Sequence, residues 1–255
     1  MLRDASWLAH LGADRGPVNE LAEALRSCIV TEIGRLGQDS TERDPRQVDD
    51  RFAEYLVILY IADALSDDVF EMFWAHAPLR ARQHAMWFLG VQLELKANVM
   101  PPDRHARAVT YWERRVAAAK SAADPEGFRE EIGALGQFFM RQGIDTDWLM
   151  HQAIIISEAG FAPTDGFSVI DRLSKIATVR PDRAAEVLSI LVRNRHFDRW
   201  AYLTNKDAIR KIMQKGLATR SPATAACVAL AINHLAALGE PAYLDLLPAT
   251  PPEAA

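Results

Sequence analysis

The sequence predicts an all-α protein in which antiparallel helical hairpins stack into an α-solenoid. Apolar residues recur along most of the chain with the period of a helix, not with the alternation of a strand. Several apolar runs closely follow a proline, as "RSPATA" at 220–225 precedes the run "ACVALAINHLAAL". The sequence has no Asn-Gly or Asp-Gly turn between two alternating runs, the pattern of a β-hairpin. Its one Asp-Gly, at Asp165-Gly166, lies in a predicted helix start. Together these observations favour helices over strands.

The prolines predict where the helices begin. Proline is tolerated in the first helical turn because its missing N–H would have no partner there, and a preceding Ser, Thr or Asp can cap the free N–H groups. From Pro78 onward the starts are roughly 18–24 residues apart, which suits a helix of about 12–17 residues and a short turn. Paired helices then repeat about every 40 residues, the range of HEAT and armadillo units. The predicted starts lie near Pro45, Pro78, Pro102, Pro125, Asp145, Pro163, Pro181, Thr204, Pro222 and Pro241.

The apolar stripes predict which residues are buried. Trp112 shares a helical face with Val109 and Val116, so we expect it to lie between helices, and most of the six tryptophans are assigned to packing. Cys28 and Cys227 are interpreted as buried thiols of a reducing compartment. A second stripe is predicted at Ala184, Val187, Leu188, Leu191 and Val192.

Three regions are predicted along the chain. Residues 1–43 are interpreted as N-terminal helices followed by a polar, turn-rich loop, and residues 44–247 as the helical-repeat domain. Residues 248–255, "PATPPEAA", have no helical signal and are expected to be a disordered tail.

Composition and charge narrow the class of protein. Apolar residues make up 49% and charged residues 25%, as in ordinary soluble domains. The net charge of −5 is unfavourable for a general nucleic-acid binder, which must neutralise phosphates. The N-terminus lacks a continuous apolar signal segment, and the run "YLVILYIADAL" is about half the length of a membrane-spanning helix. We therefore expect a soluble cytoplasmic protein.

No catalytic motif is present in the sequence. "QKGLATRS" lacks the glycine pair of a P-loop, and GxSxG, HExxH and CxxC are all missing. His76 and His84 lie near Glu71 and Asp68, but Pro78 breaks any helical face they would share, so surface or capping roles are favoured over a metal site. We predict no enzyme, no cofactor and no metal.

The candidate partner-binding surface is a basic strip with one aromatic residue. Such a strip suits an acidic peptide or a phosphate backbone, and the alternative is a solvated helix face neutralised by nearby carboxylates. Arg107 and Arg114 are expected to be exposed on one side of a helix, where replacement by Ala would barely affect folding. The strip consists of Arg80, Arg82, Arg104, Arg107, Tyr111, Arg114 and Arg115.

A second basic cluster lies in "LVRNRHFDRW". Its residues are interpreted as a helix end, where cations interact favourably with the helix dipole and bond free carbonyls. This indicates a structural role for Arg193, Arg195, His196, Arg199 and Trp200.

Residues 167–247 resemble the C-terminal helical repeats of bacterial STAND/NACHT-type NTPases. The resemblance is carried by the Trp200 segment, the helix ending "IMQKGLA", the small-residue run from Ser221 and the closing "LGEPAYLDLL". It implies HEAT-like architecture and a role in sensing or binding partners. In such proteins NTP hydrolysis resides in an upstream domain, so this chain is expected to be a stand-alone relative, a fragment, or the partner of a separate NTPase.

The leading hypothesis is a non-enzymatic helical-repeat protein that binds a protein or peptide partner, with an acidic partner favoured by the strip. The alternative is a HEAT-like DNA-binding protein or alkylated-base glycosylase, with Trp112, Arg114 and Arg115 in a basic groove, although the net negative charge opposes it. An enzyme acting on a small molecule would need a convergent polar set in the helical interior, and the sequence gives no sign of one.

Overall fold

The fold is all-α, as predicted. The computed structural model describes residues 31, 45–63, 65–95 and 101–247. These residues form helices and turns but no strand. The chain divides into two compact units, Met1–Ala118 and Ala119–Ala255, so the predicted repeat domain contains parts of both. The predicted tail and, except for Thr31, the predicted N-terminal region lie outside the described residues.

The described residues form α-helices of very different lengths and two short 3₁₀ segments, η1 and η2. Within this part of the chain, no helix is both long and apolar enough to cross a membrane. The elements are α1 (Pro45–Ile61), α2 (Asp67–His76), α3 (Leu79–Glu94), α4 (Pro102–Ser121), η1 (Pro125–Phe128), α5 (Arg129–Gly133), α6 (Leu135–Phe139), α7 (Thr146–Glu158), α8 (Gly166–Ile176), α9 (Pro181–Arg193), α10 (Arg199–Thr204), α11 (Lys206–Ala218), α12 (Pro222–Ala237) and η2 (Pro241–Leu246).

The predicted helix starts are confirmed to within a few residues. Pro181 and Pro222 are the first residues of α9 and α12, and the Ser221 hydroxyl accepts a hydrogen bond from the Thr224 N–H at 3.4 Å. Asp145 caps α7 by accepting from the Trp148 N–H at 2.7 Å. Two of the starts, at Pro125 and Pro241, open 3₁₀ segments instead of α-helices.

Two features break the predicted regularity of the helices. Between α5 and α6, the Gly133 carbonyl accepts from both the N–H and the hydroxyl of Thr164, each at 2.8 Å. The backbone of Thr164 also packs on Gly136, where an added Cβ would lie 1.6 Å from the Thr164 carbonyl oxygen. This close approach requires glycine and explains why the segment forms two short helices. The short helix α10, capped by Asp198, is another unpredicted feature.

In the first unit, α1 packs against α2 and α3, and an aromatic cluster joins α1, α2 and α4. Tyr60 stacks on Phe70 with ring centroids 4.7 Å apart, and the Tyr111 ring lies edge-on to Phe70 at 4.4 Å. The Trp74 ring completes the cluster 5.7 Å from Tyr111. Trp112, on α4, is 0% exposed, as predicted.

In the second unit, helices adjacent in the chain pack as pairs: α6 with α7, α8 with α9, and α11 with α12. Contacts also join α6 to α8 and α8 to α11, and likewise α7 to α9 and α9 to α12. Gly216 on α11 allows close approach, because an added Cβ would lie about 3 Å from Val228 and Ala185. The predicted α9 stripe is buried throughout: Ala184, Val187, Leu188, Leu191 and Val192.

Candidate interaction site

Arginines of the predicted basic strip form ion pairs with carboxylates of the first unit. The Arg80 guanidinium lies 3.0 Å from the Asp50 carboxylate, and that of Arg107 lies 2.8 Å from Asp63. The sequence predicted that Arg107 and Arg114 project freely into solvent. Their side chains are instead partly covered, with exposed fractions of 30% and 38%.

Arg107 fixes the connection between α1 and α2. Its Nε donates to the Tyr60 carbonyl at 2.8 Å, and its Nη2 donates to the Leu65 carbonyl at 3.3 Å. The guanidinium also lies 4.4 Å from the centroid of the Tyr60 ring, within the range of a cation–π interaction. Burial raises the pKa of the Tyr60 hydroxyl, and the charge of Asp67 raises it further, whereas Arg107 lowers it. These contacts are those of a structural residue.

Arg114 and Arg115 hold α4 against α2. Arg114 contacts Asp67 at 2.6 Å and Glu71 at 3.3 Å. Arg115 is 5% exposed and its guanidinium lies 4.3 Å from the centroid of the Trp74 ring. Each guanidinium is therefore already occupied by groups of the same unit.

The remaining strip residues divide between the core and a half-buried position. Tyr111 is 1% exposed within the aromatic cluster, so it offers a partner no surface, and the same holds for Arg115. Arg82 and Arg104 are half-buried on α3 and α4. Trp112 and Arg115, which the glycosylase alternative places in a basic groove, are both buried.

The second basic cluster presents a surface of a different kind. We call residues 194–203 the α9–α10 corner, because they form the turn between those helices and most of α10. Asn194 anchors this corner: its side-chain amide donates to the Phe161 carbonyl at 2.5 Å, and its Oδ1 accepts from the His196 N–H at 2.9 Å. Phe197 is 3% exposed and packs on Tyr202, with ring centroids 5.6 Å apart.

Cations and apolar groups project outward from this anchored turn. Arg195 and Arg199 are exposed and make no ion pair with any carboxylate in the described part of the chain, and Trp200 is 71% exposed. The placement of Arg199 and Trp200 at a helix C-terminus was wrong, because they begin α10, where Asp198 accepts from the Trp200 N–H at 2.9 Å. A free cation at a helix start gains nothing from the dipole, so this placement is not explained by helix stability.

Arg193 behaves as predicted. It is the last residue of α9, and its Nε donates to the Ser189 carbonyl at 2.9 Å. This is the hydrogen bond expected of a cation at a helix C-terminus.

The exposed apolar surface continues beyond Trp200. Leu203 on α10 is 41% exposed, and Phe167 at the start of α8 is 56% exposed. The two helices are in close contact at Gly166, where an added Cβ would lie 2.8 Å from the Ala201 Cβ. Trp200, Leu203 and Phe167 are therefore carried by two helices that touch.

His196 lies between two guanidinium groups. Its Nδ1 is 3.0 Å from Nη1 of Arg129, and its Nε2 is 2.8 Å from Nε of Arg195. Glu126 forms an ion pair with Arg129. Partial burial lowers the pKa of the His196 imidazole, and the charges of Arg129 and Arg195 lower it further, while Glu126 raises it.

The other histidines singled out in the sequence have separate surroundings. His84 Nε2 lies 2.8 Å from a carboxylate oxygen of Glu54, and His76 is exposed in the last turn of α2. Within the described ranges, no three His, Cys, Asp or Glu side chains are grouped to hold a metal ion. Cys28 lies outside those ranges, and Cys227 is half-buried instead of buried.

Comparisons with models of protein families, with curated proteins and with solved structures find no match for this chain.

Arg129, which contacts His196 of the α9–α10 corner, was not identified from the sequence. Arg129 lies 67 residues before His196, and nothing in the local pattern of either segment links them. In the sequence, the one sign of this site was a local excess of positive charge. Arg195, Arg199 and Trp200 have no acidic residue nearby except Asp198, which is a helix cap.

Proposed function

We propose that this chain is a non-enzymatic helical-repeat protein whose second unit binds a protein partner through the α9–α10 corner. The observation that carries the proposal is the 71% exposure of Trp200 beside Arg199, which has no carboxylate partner among the described residues. Trp and Arg are enriched where protein surfaces bind one another, because both combine a large contact area with hydrogen-bonding capacity.

The helix contacts of the second unit support a repeat architecture. Three successive helix pairs pack so that each helix also contacts its counterpart in the next pair. Counterpart helices begin at Thr146, Pro181 and Pro222, intervals of 35 and 41 residues, close to the period of HEAT and armadillo units. We therefore propose that these pairs are solenoid repeats, a fold in which an extended surface is used for binding.

The chemistry of the corner favours an acidic partner with apolar side chains. Arg195 and Arg199 supply positive charge, while Trp200 and Leu203 supply apolar area that water solvates poorly. An amphipathic segment with acidic residues beside its apolar face would complement both. The resemblance of residues 167–247 to repeats of NACHT-type NTPases makes a separately encoded NTPase one partner to test.

The test compares variants of the tagged full-length chain in capture from native cells. Trp200→Ala and Arg199→Ala should each lose the same captured protein, while folding stability changes by less than about 0.5 kcal/mol because both side chains are exposed. Val179→Ala is the matched control, since Val179 is an apolar side chain 77% exposed in the turn between α8 and α9. An unchanged set of captured proteins with Trp200→Ala would refute the proposed surface. Salt-sensitive binding of DNA, lost in Arg199→Ala, would assign the corner to nucleic acid instead.

A further inference from the structure

We propose that Arg129, Arg195 and His196 form a binding site for a phosphoryl group. The three side chains come from two distant segments, the start of α5 and the α9–α10 corner, and converge around one imidazole ring. The inference deepens the proposed function, since it names a chemical group that the partner would carry.

The site has more hydrogen-bond donors than acceptors. A neutral imidazole has one N–H and one lone pair, and a protonated imidazole has two N–H groups. Guanidinium nitrogens lie 3.0 Å from Nδ1 and 2.8 Å from Nε2, and guanidinium groups only donate. In either neutral tautomer, one guanidinium N–H therefore faces another N–H. An anionic acceptor beside the ring would satisfy the donor that is left over.

The charge of the site suits a dianion. Among the described groups whose charges act on the His196 imidazole, two guanidinium groups face one carboxylate, that of Glu126, which forms an ion pair with Arg129. The excess is one positive charge when His196 is neutral and two when it is protonated. A phosphate monoester carries about −1.5 to −2 at neutral pH and offers three acceptor oxygens, so it could neutralise the protonated site. Arginine also binds phosphate in a bidentate geometry.

Contacts within the protein hold the backbone of the site in place. Asn194 ties the corner to the carbonyl of Phe161 and accepts from the backbone N–H of His196. Phe197, the next residue, is buried at 3% exposure. The backbone that carries Arg195 and His196 is thus fixed, so binding would not have to order it.

Titration of His196 by NMR is the decisive experiment. Sulfate is the first probe because it stays a dianion between pH 5 and 8, so any pH dependence comes from the protein. Without anion, the pKa of the imidazole should lie below its usual 6.5, because burial first, and then the charges of Arg129 and Arg195, oppose protonation more than Glu126 favours it. Saturating sulfate should raise that pKa by about one unit, since an adjacent anion favours the charged form. A pKa that sulfate does not move would overturn the proposal.

Variants and two further probes identify the source of the phosphoryl group. Arg195→Ala and His196→Gln should each weaken sulfate and phosphate binding at least tenfold, whereas Lys211→Ala, which removes an exposed cation of α11, should not. Inorganic phosphate and a capped tripeptide, Ala-phosphoserine-Ala, are then compared. Binding of the phosphopeptide indicates a phosphorylated partner, and binding of inorganic phosphate alone indicates a free ligand. Binding of neither would refute the site.

The outcome is separable from that of the proposed protein surface. Trp200→Ala should leave sulfate and phosphopeptide binding unchanged, because Trp200 is not among the groups around His196. Loss of the captured partner with Trp200→Ala but no anion binding to the wild type would sustain the surface and reject the phosphoryl site. Anion binding by the wild type, together with an unchanged set of proteins captured by Trp200→Ala, would sustain the phosphoryl site and reject the surface.

Discussion

The side-chain amide of Asn194 donates a hydrogen bond of 2.5 Å to the carbonyl oxygen of Phe161, which joins the turn after α9 to the turn after α7. The same amide lies 3.4 Å from the Ser157 carbonyl. Both carbonyls belong to the segment that ends α7, where Gly160 adopts a φ of 87° and so terminates the helix. One side chain therefore connects two turns at equivalent places in neighbouring helix pairs.

Asn194→Ala should destabilise the protein by about 1–3 kcal/mol, because the partly buried carbonyl of Phe161 loses its donor. Urea unfolding of the purified protein measures this change. Asn194→Asp can still accept from the His196 N–H but would place a carboxylate oxygen against the Phe161 carbonyl, so it should be no better than Ala. Arg195→Ala, a change of the exposed neighbour, serves as the control. Equal stability of Asn194→Ala and the control would mean that the corner is not anchored this way.

Arg107→Ala should cost about 1–3 kcal/mol, although the sequence alone predicted almost no effect. The guanidinium donates to the carbonyls of Tyr60 and Leu65, and its removal leaves both without that donor. The ion pair with Asp63 adds little, since that carboxylate is 63% exposed. Lys120→Ala on the same helix is the control and should change stability by less than about 0.5 kcal/mol. Similar effects of the two substitutions would return Arg107 to an ordinary surface role.

Trp112→Ala should destabilise the protein by about 3–5 kcal/mol, because the side chain is 0% exposed and truncation leaves a large cavity. Trp112→Phe fills more of the space and should cost less. Denaturant unfolding followed by far-UV circular dichroism avoids relying on the fluorescence of the removed tryptophan. A Trp112→Ala protein of unchanged stability that loses a ligand would instead place Trp112 in a binding site.

Helix starts could be predicted because their causes are local in sequence. Proline at the first turn and a capping side chain act within three residues, as Ser221 does with Thr224. The start of α2 was missed since no proline precedes it, although Ser66 stands before two acidic residues in the first turn. The break at Ala134 depends on Thr164, which lies 31 residues from the Gly133 carbonyl it contacts, so no local pattern could reveal it.

Burial could be predicted only where one helix face is clearly apolar. Leu191, on the clear stripe of α9, is buried as expected. α12 has no Asp, Glu, Lys or Arg, so its sequence does not identify the buried face, and Leu230 proves to be 49% exposed. The charge of Arg115 suggested an exposed side chain, but Arg115 is buried. Its guanidinium packs on the Trp74 ring, which provides a site for a buried cation. The exposed residues at Arg195 and Trp200 were found in the sequence, but their role depends on contacts that the fold creates.

Tyr243→Phe should leave the protein as stable as the wild type at pH 7, or more stable by up to about 1 kcal/mol. The Tyr243 hydroxyl is buried and has no hydrogen-bond partner in the described part of the chain, so its removal relieves a desolvated polar group. Tyr202→Phe is the contrasting variant: its hydroxyl donates to the Leu191 carbonyl at 3.1 Å, and losing that bond should cost about 1–2 kcal/mol.

Tyr243→Phe should also change how the free energy of unfolding responds to alkaline pH. Burial raises the pKa of Tyr243 to about 12, with a further contribution from Glu240, while Arg210 lowers it. Between pH 10 and 12 the unfolded chain releases this proton and the folded chain keeps it, so the free energy of unfolding falls as pH rises. At pH 11 the wild type should have lost about 1 kcal/mol that Tyr243→Phe retains. Urea unfolding of both proteins at pH 8, 9.5 and 11 measures the difference. If the gap between them is the same at all three pH values, the Tyr243 hydroxyl titrates alike in both states and its burial does not control stability.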